Sequence, residues 1–323
     1  MNKRLIHVAA GAIRHTDGRI LITKRPDHVH QGGLWEFPGG KLETEETPEQ
    51  GLVRELAEEL GIRVTESRPL IRIHHDYGDR HVLLDVHRVD AFDGQPHGRE
   101  GQPLDWMHPD AMDPRCFPAA DRPIINALRL PDRFLITGAD PSNESGFLAR
   151  LDLALQAGIR LVQLRAHELD DRSYARLAQR VFPLCNRIGA RLLLNRDPPL
   201  VEDLPTHGLH LTASRLKKLR ARPLSRDYLV GASCHSAEEL SLAVQLDLDY
   251  AVLSPVKPTR SHPDAVPLGW DRFSQLVDPI AMPVYALGGL GPIDLARAVR
   301  SGGQGVAGIS GFWPGGDTSR GLV

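Results

Sequence analysis

One short stretch constrains the fold more than any other: Gly40 to Ile62 carries a helix whose start, stop and faces are all written in the residues. Thr47 is a favoured N-cap, Pro48 suits the first helical position, and Gln50 completes a capping box. Gly61 supplies the stop, because glycine readily takes the left-handed conformation that ends helices. Leu52, Val53, Leu56 and Leu60 give the helix an apolar side to bury. Glu55, Glu58 and Glu59 stand at i, i+3 and i+4, so three carboxylates share one face. Acids so close repel one another unless cations neutralise them, and hard oxygen donors suit Mg²⁺ or Mn²⁺. Taken alone, the same acids would suit a solvated face with Arg54 as an i,i+4 partner. Their register with Gly40, Glu46 and Arg54 argues against that blander reading.

At 323 residues the chain is long for one domain and comfortable for two, each able to bury its own core. The formal net charge is -2, so no basic field points to direct nucleic-acid binding or to an anionic membrane. Three scattered cysteines, Cys116, Cys185 and Cys234, show no metal-type spacing and fit a reducing compartment. The apolar run at the start is short and interrupted, unlike a signal peptide, and no stretch approaches a span of about 20 apolar residues. A soluble, cytoplasmic protein is the expectation.

The pattern changes character near residue 131, which sets expected domains at 1–131 and 132–323. In the first, Leu5–Ile13, Ile20–Lys24 and His81–Val89 read as strands, and Asp121–Leu128 as a final helix. In the second, strands alternate with helices: Phe134–Thr137, Leu161–Arg165, Arg191–Asn195, Gly208–Thr212, Leu229–Ser233, Tyr250–Ser254, Val284–Leu287 and Gly305–Ile309. Gly146–Ala157, Arg172–Ile188, Ala237–Gln245 and Pro292–Ser301 read as helices between them. Eight such units predict a parallel sheet closed into a (β/α)8 TIM barrel, at about 190 residues compact beside the usual ~250.

Gly40, Glu46, Arg54, Glu55, Leu56, Glu58, Glu59, Gly61 and Ile62 fill every fixed position of G-x5-E-x7-R-E-U-x-E-E-x-G-U, with U aliphatic. This part of the chain therefore resembles the Nudix hydrolases, which implies an α/β/α sandwich with a mixed sheet. The runs Leu34–Lys41, Gly98–Met107 and Phe117–Ile125 narrow the resemblance to MutT proteins, 8-oxo-dGTP diphosphatases that cleanse the nucleotide pool and so serve DNA repair and replication fidelity. The resemblance implies metal ligands at Glu55, Glu58, Glu59, Glu100 and the Gly39 carbonyl. It further implies a metal-polarised water attacking the β-phosphorus, with Glu55 or Glu100 as base and Arg54 in the catalytic set. Arg25 would contact phosphate. His30, Phe37, Tyr77 and Arg80 match positions that shape the nucleotide pocket. One departure matters: Asp121 stands where the family usually has asparagine, whose amide accepts from N7–H of 8-oxoguanine and donates to O6. An ionised aspartate cannot donate, so discrimination should weaken or the target change; a protonated one restores the pattern at the cost of a raised pKa.

Val162–Arg165, Gly231–Glu239, Leu253–Thr259 and Ala286–Gly289 resemble the thiamine phosphate synthases and their TenI-type relatives. Gly288 and Gly289 after strand seven, with Ile309 and Ser310 after strand eight, lie where such barrels hold phosphate on backbone N–H groups. The resemblance adds Gln163, Arg165, Asn195, Ser233 and Thr259 as ligand-lining residues. Its metal-binding acids are missing: an Asn-Asp pair reads Asn195-Arg196, a second aspartate aligns near Arg215, and two lysines read His167 and His262. Arginines in place of acids remove a Mg²⁺ site, so synthase activity is not expected. His235 is the candidate acid/base of a TenI-like tautomerase, with a structural role the alternative.

Three readings stay open. The chain could be a nucleotide-sanitising diphosphatase with a TenI-like barrel, a Nudix enzyme acting on thiamine-related diphosphates, or a hydrolase carrying a non-catalytic binding module. The expected partners are a small nucleotide and, in the barrel, a thiazole or thiamine phosphate; homo-oligomerisation is left open.

Overall fold

The computed structural model describes residues 5–138, 141–259 and 264–314. It divides into two compact units, Met1–Arg129 with Asp278–Met282, and Leu130–Val277 with Pro283–Val323.

The first unit runs β1 (Leu5–Ile13), β2 (Ile20–Lys24), β3 (Trp35–Glu36), β4 (Gly39–Lys41), α1 (Pro48–Leu60), β5 (Arg63–Asp76), β6 (His81–Asp93), β7 (Leu104–Met107) and α2 (Arg122–Arg129). One sheet has the order β4-β1-β6-β5 and a smaller one the order β3-β2-β7. The larger is mixed: β1 pairs parallel with β6 and antiparallel with β4, and β5 pairs antiparallel with β6. The two-residue period of β1 sorts its side chains between two cores. Ala9 and Ile13 pack with Leu52, Leu56 and Leu60 of α1, whereas Ala10 and Ala12 pack with Ile124 and Ile125 of α2. Helices thus cover both faces of the sheet, as the expected α/β/α sandwich requires.

Helix α1 has the predicted caps. Gln50 N–H donates to the Thr47 hydroxyl, Thr47 N–H donates to the Gln50 side chain at 2.9 Å, and Gly61 closes the helix at φ 69°. One expectation is corrected: Val53 is 40% exposed and does not belong to the buried side. Leu52, Leu56 and Leu60 recur every four residues, and Val53 lies one step of about 100° round from that stripe. The long strand β5 was not anticipated. Charged residues and Pro69 disguise it, and Pro69 sits at a register shift where a missing N–H is tolerated.

The second unit has strands β8 (Arg133–Ile136), β9 (Leu161–Leu164), β10 (Arg191–Leu194), β11 (Gly208–Leu211), β12 (Leu229–Cys234), β13 (Tyr250–Leu253), β14 (Val284–Ala286) and β15 (Gly305–Gly308). All eight pair in parallel and close into a barrel, each within a residue of its expected limits. Helices α3 (Glu144–Gln156), α4 (Asp171–Arg187), α5 (Pro198–Glu202), α6 (Ala213–Leu216), α7 (Ala237–Gln245), α8 (Gly269–Val277) and α9 (Leu295–Arg300) alternate with them. The expected helix 292–301 opens as a 3₁₀ turn, Pro292–Asp294, before α9. Inside the barrel Phe134, Tyr250 and Tyr285 meet edge-on or tilted, with ring centroids 5.4 to 5.9 Å apart, so its floor is packed rather than open. Among the described residues no helix is long and apolar enough to cross a membrane.

Candidate active site

Strand β4 brings the glycine pair of the first unit under the acidic face of α1. A Cβ on Gly40 would stand 2.3 Å from the Glu55 carboxylate, and one on Gly39, at φ 147°, only 2.1 Å from the Ala9 carbonyl oxygen. Gly39 is therefore closed to a side chain, and one at Gly40 would displace the Glu55 carboxylate. In return Gly39 N–H donates to Glu59 Oε2 at 3.2 Å. Arg54 holds the other acids from the flank. Its Nε and Nη2 grip both Glu46 oxygens at 2.8 and 2.9 Å, while Nη1 reaches Glu55 at 2.9 Å and Glu58 at 3.2 Å. That grip pulls the Glu46 carboxyl down to about 2.

The last turn of α1 leaves carbonyls without helical partners, and the loop after β6 satisfies them. His97 N–H donates to the Leu60 carbonyl at 3.1 Å and Arg99 N–H to that of Glu59 at 2.9 Å, while the Arg99 guanidinium at 3.0 Å joins Gly61 N–H on that of Ala57. The same docking delivers Glu100, exposed, to the neighbourhood of Glu59. Glu59 itself is pushed up to about 8, first by burial and then by the charges of Glu55, Glu36 and Glu100. Among the described residues no three such side chains already converge on one point, since Glu55 and Glu58 are turned to Arg54. The donor set nonetheless fits a hard divalent cation: it is all oxygen, carboxylate-rich, and carries mutual repulsion that a cation relieves.

The residues expected to shape the nucleotide pocket are brought together by β2, β3, the hairpin tip 77–80 and the turn before α2. Phe37 is buried and stacks on Phe117 with ring centroids 5.8 Å apart. Asp121 is only 7% exposed. Burial and the nearby Glu36 charge push its carboxyl up to about 8, against the pull of Arg25 and the Phe37 N–H. Tyr77 meets His30 edge-on at 5.6 Å and His75 at 4.3 Å. Arg25 is engaged rather than open: it pairs with Glu36, and its Nε donates to the His30 carbonyl at 3.1 Å. Arg80 pairs with its neighbour Asp79 at the hairpin tip. The residue the sequence reading overlooked is Glu36. Its charge acts on both Glu59 and Asp121, so it couples the acidic face of α1 to the buried carboxyl before α2. It lies inside the run 34–41, where alternation along β3 with Phe37 buried next to it was the available signal.

At the mouth of the barrel, Asn195 is buried in a tie between strands. Its N–H donates to the Tyr174 hydroxyl at 2.9 Å, that hydroxyl donates to the Leu164 carbonyl at 2.8 Å, and the Asn195 amide donates to the His210 carbonyl at 2.7 Å. His210, another residue the sequence did not single out, lies 2.8 Å from both Ser233 Oγ and the Tyr250 hydroxyl, and burial holds it down at about 3. His235 is exposed, with Nδ1 2.9 Å from the Ser254 carbonyl oxygen. A carbonyl only accepts, so this contact places a proton on Nδ1. Gln163 is buried with Oε1 unpartnered among the described residues, and Arg165 follows two residues on. Gly288 and Gly289 take φ 104° and 63°, and a Cβ on Gly289 would stand 2.3 Å from the Pro258 carbonyl oxygen. Thr259, Ile309 and Ser310 lie in the loops beyond β13 and β15; His262 lies outside the described residues. Arg196 and Arg215 occupy the two positions that carry metal-binding acids in the resemblance. The residues present do not fit a divalent cation there.

The NUDIX domain family model matches residues 9–127, and the model described as thiamine monophosphate synthase matches residues 134–312. The 8-oxo-dGTP diphosphatase of Escherichia coli (strain K12) is 40% identical over 38% of this chain and 96% of its own length. The putative thiamine-phosphate synthase 2 of Aquifex aeolicus (strain VF5) is 33% identical over 57% of this chain and 99% of its own. A solved structure of MutT from Aliivibrio salmonicida and Vibrio cholerae is 47% identical, covers 39% of this chain and 97% of its own, and superposes with a TM-score of 0.34. The chain therefore belongs to two families at once: to the Nudix family through residues 9–127 and to the thiamine monophosphate synthase family through residues 134–312.

Proposed function

We propose that the first domain, residues 1–131, hydrolyses 8-oxo-dGTP to 8-oxo-dGMP and pyrophosphate. The observation that carries the choice of substrate is the buried Asp121, whose carboxyl is held up to about 8. Near neutral pH it is mostly protonated, and a neutral carboxyl offers one O–H donor and one carbonyl acceptor side by side. That is the pairing an asparagine amide would present, so the substitution keeps the complement to N7–H and O6 of 8-oxoguanine. Relatives named 8-oxo-dGTP diphosphatase, at 40% and 46% identity, support the same substrate.

Glu55, Glu58, Glu59, Glu100 and the Gly39 carbonyl would hold Mg²⁺ or Mn²⁺, which when bound supplies charge neutralisation at the phosphates and a more acidic water. The chain's own groups do the rest. Arg54 fixes the Glu55 carboxylate against Gly40, and the backbone of β4 steadies Glu59. Glu100, exposed on its docked loop, is free to take a proton from the attacking water; Glu55 is the alternative base. Phe37 offers an apolar wall near the base, with Tyr77 and His30 at its rim. Arg25 reaches phosphate only by exchanging its partner Glu36. The test is pyrophosphate release from 8-oxo-dGTP, dGTP and thiamine diphosphate, compared as kcat/KM. A preference for thiamine diphosphate would overturn the proposal.

For the second domain, residues 132–323, we infer a TenI-like barrel without synthase activity, because Arg196 and Arg215 stand where magnesium would be held. A tautomerase role for His235 is favoured by its Nδ1 contact with the Ser254 carbonyl, which leaves Nε2 without a hydrogen-bond partner among the described residues.

A further inference from the structure

We propose that the barrel binds a phosphorylated small molecule directly on arginine side chains, without a divalent cation, in a cavity of about 320 Å³ between Arg196 and Arg215. The cavity opens where β9, β10 and β11 end, and His167, Asp171 and Asp197 complete its charged lining.

Arg196 is the anchor. Its side chain is 9% exposed, its Nη2 donates to the carbonyls of Ala166 and Leu169 at 2.7 and 3.0 Å, and its guanidinium lies 3.9 Å above the Tyr174 ring. Those neighbours orient the group but carry no negative charge. The carboxylate facing it is that of Asp171, 3.4 Å from Nε, on a side chain 77% exposed. A guanidinium cannot shed its proton to escape burial, and one counter-ion dissolved in water compensates it poorly.

Arg215 repeats the pattern. Nε meets Asp197 at 2.5 Å, the Asp197 side chain is 72% exposed, and the two terminal nitrogens of Arg215 have no partner among the described residues. Arg165 adds a third guanidinium with no side-chain partner among the described residues, close enough to act on His167. Exposed ion pairs contribute little, so an entering oxyanion can displace both carboxylates. Guanidinium groups match phosphoryl oxygens geometrically. Arg196, whose terminal nitrogens already donate to the carbonyls of Asn195, Ala166 and Leu169, contributes its charge and Nε, while Arg215 and Arg165 contribute the forks. A divalent cation finds the opposite conditions: two fixed positive charges, and acids already turned to arginines. The unpartnered Gln163 Oε1, two residues before Arg165 along the strand, is an acceptor for a donor on the organic part of the ligand.

The experiment is calorimetric titration of the full chain with inorganic pyrophosphate in excess EDTA. Saturable binding is expected, and Arg215→Ala should weaken it about tenfold or more, as loss of a charge-assisted fork does. Arg165→Ala, at a side chain with no partner among the described residues, should weaken it likewise. Glu55→Gln should leave the affinity unchanged, which separates this site from the hydrolase site and from the fate of the 8-oxo-dGTP proposal. Absence of binding in EDTA, binding that appears only with Mg²⁺, or an affinity equal to the parent's in both arginine variants would overturn the inference.

Discussion

The reading of Asp121 makes a prediction that depends on one proton. Its carboxyl is held up to about 8 by burial and by Glu36, so at pH 7 about nine-tenths of the molecules carry the proton, and at pH 9 about one-tenth. Only the protonated form can donate to O6; the ionised form faces it acceptor to acceptor, a loss of ~1–3 kcal/mol in a buried pair. The perturbation is Asp121→Asn, which fixes the donor–acceptor pair at every pH. The assay is kcat/KM for 8-oxo-dGTP in both proteins from pH 6 to 9.5. Other titrations in the reaction are common to the two and cancel in their ratio. The variant-to-parent ratio should be flat up to about pH 7 and should then rise about tenfold by pH 9, levelling where the ionised parent reaches its own residual activity. Parallel profiles across that range would refute the reasoning, because they would mean that the proton on Asp121 does not touch the base.

The same proton bears on stability. The folded pKa of Asp121 is raised above the unfolded ~3.9, so its contribution is complete below about pH 4 and is lost as the pH climbs through about 8; Asp121→Asn should gain on the parent in Tm at pH 9 relative to pH 5. Glu36→Gln removes one of the charges that raise this carboxyl, so the break in the activity profile should move to lower pH. Glu55→Gln should cut kcat by orders of magnitude while denaturant midpoints change little, since the carboxylate packs off the apolar stripe of α1; near-parental kcat would discard the metal assignment. In the barrel, Tyr174→Phe strands the buried Asn195 N–H and Leu164 carbonyl, and urea unfolding should register a loss of ~1–3 kcal/mol.

What was legible followed from periodicity and from local chemistry. The caps of α1, its three acids and the eight barrel strands could be read because each depends on residues close in sequence. Val53 was misplaced because an apolar residue one step off a helical stripe looks like part of it in the sequence. Strand β5 was missed because its buried residues are set by pairing with β6 and by a bulge at Pro69, neither of which leaves a clean alternation. The engagement of Arg25 by Glu36 was invisible for a related reason: eleven residues separate them, and antiparallel pairing of β2 with β3 brings them together. Linear sequence names the charged groups without saying which of them neutralise one another.

The two departures from family pattern show why that pairing decides function. Asp121 and Arg196 each put a charge-bearing group into a place almost closed to water, 7% and 8% exposed. The outcomes differ because the groups differ in what burial can make them do. A carboxyl can take up a proton near neutral pH, so Asp121 becomes a neutral donor and acceptor and can stand in for an amide. A guanidinium cannot lose one, so Arg196 stays cationic and must be met by something negative. Its present counter-ion is a carboxylate largely in water, which leaves room for a better one. Under the two proposals, the first substitution would conserve a recognition, whereas the second would exchange a cation-holding site for an anion-holding one.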